Sequence, residues 1–206
     1  FDKTHHSFAL GAEGLRVDAQ MLTGPSPISA IAKIPGGVLN TTEKRSLMDV
    51  RGEAIVRGRR FSLDGALGGF DYTHGYLARH TKWRWAYLLG RAQSGERVGM
   101  NLVQGFVGEP ECALWVDDEL FPVGEGRITC DEAEPRAPWF ITTTDGSVDL
   151  RFDPRGVHSE RKNYGVLKSQ FIQPAGLYRG TLRLPDGRVL ELDSVLGVAE
   201  NQDMLW

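Results

Sequence analysis

Short apolar runs recur along the chain with polar residues at every second position, and glycine-centred breaks separate them. That pattern predicts an antiparallel β meander. Between Trp139 and Phe152, a loop at Asp145-Gly146 pairs its flanks so that Trp139, Ile141 and Thr143 share a face with Val148, Leu150 and Phe152. Asp149 and Arg151 then point the other way, toward a lumen or toward solvent. Asp-Gly predicts a type I′ turn, and its register agrees with the alternation. From Thr181 to Leu192, the loop Pro185-Asp186-Gly187 puts Leu182, Leu184, Leu190 and Leu192 on one face, with glycine in the left-handed position. A third hairpin has Trp83, Trp85, Tyr87 and Leu89 before a turn around Ser94-Gly95, and Val98, Met100 and Leu102 after it. The fourth runs Leu114-Trp115-Val116, Asp117-Asp118, Glu119-Leu120-Phe121.

No segment keeps apolar residues at helical spacing for the length of a good helix. Thr41 to Met48 reads as one helical turn, capped by Thr41 with Lys44 and Arg45 outward. Gly24-Pro25-Ser26-Pro27 and Pro35-Gly36-Gly37 mark loops. The fold class is therefore all-β, as a closed barrel or a sandwich. A barrel of about eight strands leaves room for one small ligand in its mouth.

Composition narrows the partners. The 206 residues suffice for one large β domain or one and a half small barrels, and 41% apolar content supports a real core. A net charge of −3 supplies no basic field for a phosphate backbone, so nucleic acid is not expected as a partner. Two cysteines, Cys112 and Cys130, are too few for a disulfide framework, and reduced thiols in a cytoplasmic protein are expected. No apolar run has membrane-spanning length, and no basic-then-apolar leader opens the chain. A start at Phe1 suggests a processed or truncated piece.

The densest chemistry lies in Gly69-Phe70-Asp71-Tyr72-Thr73-His74-Gly75 and Arg79-His80-Thr81-Lys82-Trp83-Arg84-Trp85. On a strand, Asp71 and Thr73 share one face while Tyr72 and His74 share the other. An Asp in a dry interior beside Trp would hold its proton more tightly and serve as a donor, whereas an adjacent Arg would keep it ionised. The same residues also suit turn caps and an ordinary strand with one apolar face. Other signals are thinner. Asp2, His5 and His6 resemble a metal-binding tract without a second ligand cluster. Asn40-Thr41-Thr42 matches a glycosylation sequon, and Glu200 is placed to reach the Asp71 region.

The run from Gly69 through Asp71, His74, Arg79 and Trp83 to Trp85 resembles the signature of a bacterial family, domain of unknown function 2804. Further matches follow in order: Arg97-Val-Gly-Met-Asn101-Leu, Ala113-Leu-Trp115-Val-Asp117, Pro138-Trp139, Asp145-Gly-Ser-Val-Asp149-Leu-Arg-Phe152, Gly197-Val-Ala-Glu200 and Trp206. His74 and His80 stand where arginine is expected, and Asp118 replaces the usual turn glycine, which a type I′ turn tolerates. That family is similar to the lipocalin-like group containing carotenoid hydratases and certain Diels–Alderases. The resemblance implies a calycin-type barrel or a pair of incomplete barrels, divided as residues 1–50 and 51–206, with an apolar cavity between or within them. It implies Asp71 as proton donor and His74 as its partner or base. Tyr72, Arg79, Trp83, Trp85, Asn101, Trp115 and Glu200 would contact substrate. No cofactor and no metal are implied. Three functions fit: a cofactor-free hydratase, isomerase or cyclase acting on a hydrophobic small molecule; a non-catalytic carrier of such a molecule; or a structural module whose barrel is filled.

Overall fold

A computed structural model describes residues 5–206 and divides them between two antiparallel sheets. The first contains β1 (His5–Ala12), β2 (Leu15–Leu22), β3 (Ile28–Lys33), β4 (Leu39–Val56), β5 (Arg59–Ser62) and β6 (Ala66–Gly75). β4 is its spine. β2 and β3 pair with successive stretches of one edge, β5 and β6 with successive stretches of the other. Each flank is thus one long strand with a break, and Pro25 and Pro27 sit in the first break, where no ladder donor is needed.

The helical turn expected over Thr41–Met48 is instead the middle of β4. Burial alternates there with a period of two, but the buried side chains are Asn40, Thr42, Lys44 and Ser46. An apolar search is blind to a strand whose inward row is polar. A bulge between Arg45 and Met48, with Leu47 at φ +53°, then buries Leu47 and Met48 together.

The second sheet contains β7 (His80–Arg91), β8 (Arg97–Gly105), β9 (Ala113–Val116), β10 (Glu119–Pro122), β11 (Gly126–Thr129), β12 (Trp139–Thr143), β13 (Val148–Asn163), β14 (Lys168–Arg183) and β15 (Val189–Leu205). A short 3-10 turn, Glu109–Glu111, precedes β9. Among the described residues, sequence neighbours from β7 to β15 pair in turn except β10 and β11, and β15 returns to pair with β7. The meander has therefore curled into a barrel with a seam. β11 leans across it: Ile128 N–H donates to Gln104 Oε1 at 2.8 Å, and Arg84 donates to the Ile128 carbonyl at 2.8 Å. The changeover between sheets falls at residues 76–79, and β4 runs through residue 50 unbroken.

The barrel interior is packed with side chains. Phe152 lies 4.5 Å from Tyr178 and 6.4 Å edge-on from Trp139, with Leu88, Met100 and Leu102 completing the wall, all buried. β7 is apolar on both faces over most of its length because both are covered. Ala86, Leu88, Val98, Met100 and Leu102 point inward, while Trp83, Trp85, Tyr87 and Leu89 alternate with them on the outside. The first sheet docks there, where Leu47 and Ile28 pack with Ala113 and Trp115. The Trp115 indole is fully buried and donates to the Ser26 carbonyl at 2.9 Å.

All four hairpins form in the expected register, with two turns differing in kind. Trp139 faces Phe152, and Ile141 faces Leu150. Only Gly146 of the Asp145-Gly146 pair has positive φ, so the turn is not type I′. Asp145 keeps ordinary backbone because its carboxylate collects the loop: it accepts from Thr143 Oγ1 at 2.6 Å, Gly124 N–H at 2.8 Å, Ser147 Oγ at 2.8 Å and Ser147 N–H at 3.0 Å. In the Asp117-Asp118 turn only Asp117 is left-handed, at φ +51°, which is the sign pattern of type II′ rather than I′. The cysteines are both free, with Cys112 buried. Among the described residues there is no α-helix, and no helix long and apolar enough to cross a membrane.

Candidate functional site

Where the two sheets meet, the outer wall of the barrel and the inner face of the first sheet enclose a cleft of about 360 Å³. Each wall has its own chemistry. β7 contributes Trp83 and Trp85, β8 contributes Val103, and β15 contributes Glu200. Opposite them stand Lys44 from β4 and Asp71 and Thr73 from β6. Leu77, Phe106, Glu111 and Trp206 close the ends. Phe106 and Gly105 are consecutive left-handed residues, φ +58° and +75°. This unfavourable geometry for a bulky residue turns the Phe106 ring to 5.5 Å from Trp83.

The polar side is built around Lys44, which is buried by the two covering sheets. Its ammonium donates to Asp71 Oδ1 at 2.5 Å and lies 3.9 Å from Glu111 Oε2. Asp71 is the open end of this group, its side chain 45% exposed, whereas Glu111 is 3% exposed. Burial pushes the Glu111 carboxyl above the usual range, with Lys44 and the Thr42 hydroxyl offsetting part of the rise. Asn101, buried on β8, locks this corner. It accepts from the Trp85 indole at 2.8 Å and donates to the Glu111 carbonyl at 2.6 Å.

Glu200 is the carboxylate of the aromatic wall. Its Oε1 accepts from the Trp83 indole at 2.8 Å and its Oε2 from Gln173 at 2.9 Å. Burial raises its pKa, and those two hydrogen bonds offset part of the rise. Tyr87, next along the wall and stacked on Trp85 at 5.5 Å, is pushed up to about 12, chiefly by burial. It remains a neutral phenol.

Of the residues expected at the site, the structure brings together Asp71, Trp83, Trp85 and Glu200 on the cleft, with Asn101 directly behind. His74 and Tyr72 sit on β6 facing away from Asp71, both exposed, so His74 is not in contact with the Asp71 carboxylate. Arg79 ties the chain end down, donating to the Trp206 carbonyl and to the Val166 carbonyl at 2.9 Å. Trp115 is a packing residue between the sheets. Asp149 and Arg151 are exposed. Asp2 and the side chains of His5 and His6 lie outside the described residues. Among the described residues no cluster of His, Cys, Asp or Glu could hold a metal ion. Sequence reasoning missed Lys44 and Glu111. The one visible sign of Glu111 is its place at the head of the apolar run Cys112-Ala113-Leu114-Trp115-Val116, where a carboxylate is costly.

A barrel-forming meander joined to a second curled sheet is an all-β, lipocalin-like fold. The chain belongs to the family described as Domain of unknown function (DUF2804), whose family model matches residues 3–206. Among solved structures it is similar to kievitone hydratase from Nectria haematococca, at a TM-score of 0.52 and 11% identity, over 98% of this chain and 65% of that one. At this identity the likeness is one of fold, and the chain spans about two thirds of that protein's length. No curated protein matches it by sequence.

Proposed function

We propose that the cleft is the active site of a cofactor-free enzyme that adds water to, or shifts a proton along, an unsaturated apolar small molecule. One observation carries the reading: three carboxylates and a buried lysine line one cleft, with Lys44 and Asp71 on one wall, Glu111 at an end, and Glu200 beside the two indoles of the other wall. A carrier needs only the apolar wall. Burying ionisable groups costs stability, and such clusters concentrate where proton transfer is done. The solved structure that the chain resembles is a hydratase, which agrees with this reading.

In the scheme, Glu200 is the acid, because burial favours its protonated form. Its proton passes to one alkene carbon, the π electrons form the new C–H bond, and positive charge develops on the neighbouring carbon. The faces of Trp83 and Trp85 stabilise that charge. A water molecule attacks the cation, and Asp71, half open to solvent and hydrogen-bonded to Lys44, takes the water's proton. Exchange with solvent returns a proton to Glu200. The sum is alkene plus water. If a proton leaves from carbon instead, the product is an isomer.

The test is turnover of a panel of apolar alkenes in isotopically labelled water, read by mass spectrometry. Glu200→Gln and Asp71→Asn each lower kcat roughly 10²–10⁴-fold while changing KM little. Wild-type kcat declines as pH rises through the Glu200 pKa, and Glu200→Gln abolishes that limb. Unchanged turnover in both variants removes these roles. Recovery of bound, unmodified ligand without turnover supports carriage.

A further inference from the structure

Glu111 supports a narrower statement about what the cleft holds, and it rests on the reading of the cleft as the ligand site. Its side chain is one of the most buried carboxyls in the molecule, 3% exposed, and it lines the cleft. Oε2 faces Lys44 at 3.9 Å, too far for a hydrogen bond. Lys44 gives its short contact to Asp71 instead. Oε1 is fully buried and has no hydrogen-bond partner among the described residues. The neighbouring Thr42 hydroxyl, near enough to lower the Glu111 pKa in part, makes its own hydrogen bond to the Tyr72 carbonyl at 3.2 Å.

A buried carboxyl oxygen without a donor is costly wherever it occurs, and chains seldom keep one without use. Here the cost is built in rather than relaxed away. The Glu111 backbone is clamped at both ends: its carbonyl accepts from Asn101 at 2.6 Å, and its N–H donates to Gly108 at 3.0 Å. Asn101 is itself held by the Trp85 indole. Glu111 therefore lines the cleft from a backbone held through Asn101 to the apolar wall.

We infer that Glu111 Oε1 receives the hydroxyl group of the ligand, so that the cleft selects apolar molecules bearing an alcohol or phenol. A hydroxyl is the group that fits both states of a carboxyl whose proton affinity is raised by burial. It donates to the carboxylate, and it accepts from the carboxylic acid. An ether or ketone oxygen serves only the second state, and a hydrocarbon serves neither. The ligand's hydroxyl would lie at the Lys44 end with its ring or chain along Trp83, Trp85 and Phe106. Glu200, on the aromatic wall, is left to face the apolar part of the ligand, where the double bond of the proposed reaction lies.

The experiment reads binding rather than turnover, so it can fail without the catalytic scheme failing. Isothermal titration calorimetry at pH 7 compares 1-naphthol with 1-methoxynaphthalene, which has the same ring but no donor. The expected result is 1-naphthol at least tenfold tighter, since the ether leaves a buried acceptor unsatisfied. Glu111→Gln, checked for wild-type circular dichroism, reduces the preference to less than threefold by removing the charged acceptor. Equal affinity of the two ligands for the wild type overturns the inference while leaving the cleft as a binding site. A tenfold preference that survives Glu111→Gln also overturns it, assigning the hydroxyl to another group. Failure of both ligands to bind overturns the inference and the cleft reading together.

Discussion

Asp145 shows what a single well-placed carboxylate does in this fold. Partial burial alone would raise its pKa, but hydrogen bonds from Thr143, Ser147 and Gly124 outweigh that and hold it at about 2. Its folded pKa lies below the ordinary value of 3.8, so its stabilising contribution is complete above that value and lost as pH falls toward about 2. Asp145→Ala is expected to cost about 1–2 kcal/mol at pH 7, the lower end for charged hydrogen bonds because the residue is exposed. Urea denaturation checks this, and the difference from wild type shrinks on acidification through that window. The same local logic made Asp145 legible as a turn residue. It could not reveal Lys44 and Glu111, whose importance comes from burial by chain segments far away in sequence.

At the scale of elements, the hairpins were legible because their turns and alternation are local. The Pro185-Asp186-Gly187 loop forms as expected: Leu182 faces Leu190, and Gly187 N–H donates to the Leu184 carbonyl at 3.0 Å with φ +90°. A second glycine, Gly180 within β14, has a different reason to be there. Gly180, φ +131°, lies at the register shift after Tyr178, and a Cβ on it would sit 2.3 Å from the Asp149 carbonyl oxygen. Around Gly187 that space is open. Gly187→Ala should therefore cost about 1 kcal/mol, mainly for its backbone conformation. Gly180→Ala should cost more, because a backbone atom must also move. Comparing the two denaturation midpoints tests this, and equal losses would show that the close approach adds nothing. β4 is the element that misled. Its inward row, Asn40, Thr42, Lys44 and Ser46, carries polar side chains where a strand signal requires apolar ones.

At the scale of the whole molecule, the two sheets differ in how they are held. The barrel has an extensive interior core, whereas the first sheet depends on a small cluster, Ile28, Leu47, Ala113 and Trp115, to dock on the barrel's outer wall. Trp115→Ala removes the centre of that cluster and its bond to Ser26. The expected loss is about 3–5 kcal/mol. Hydrogen exchange should show it unevenly: amides of β2, β3 and β4 lose protection while β12 to β15 keep theirs. Uniform loss would mean that the sheets unfold as one unit. Because the cleft lies between them, the same variant should also weaken 1-naphthol binding.

The sequence by itself determined the all-β class, the partners within each hairpin and which alternating residues lie together, because turns and period-two patterning act over a few residues. Only the tertiary structure decided that the barrel is filled, that β7 is covered on both faces, and that the cleft proposed as the site lies outside the barrel wall. It also decided that Glu111 and Glu200, rather than Asp71, are the deeply buried carboxyls. Burial is a property of two distant segments meeting, and the pattern along either one does not contain it.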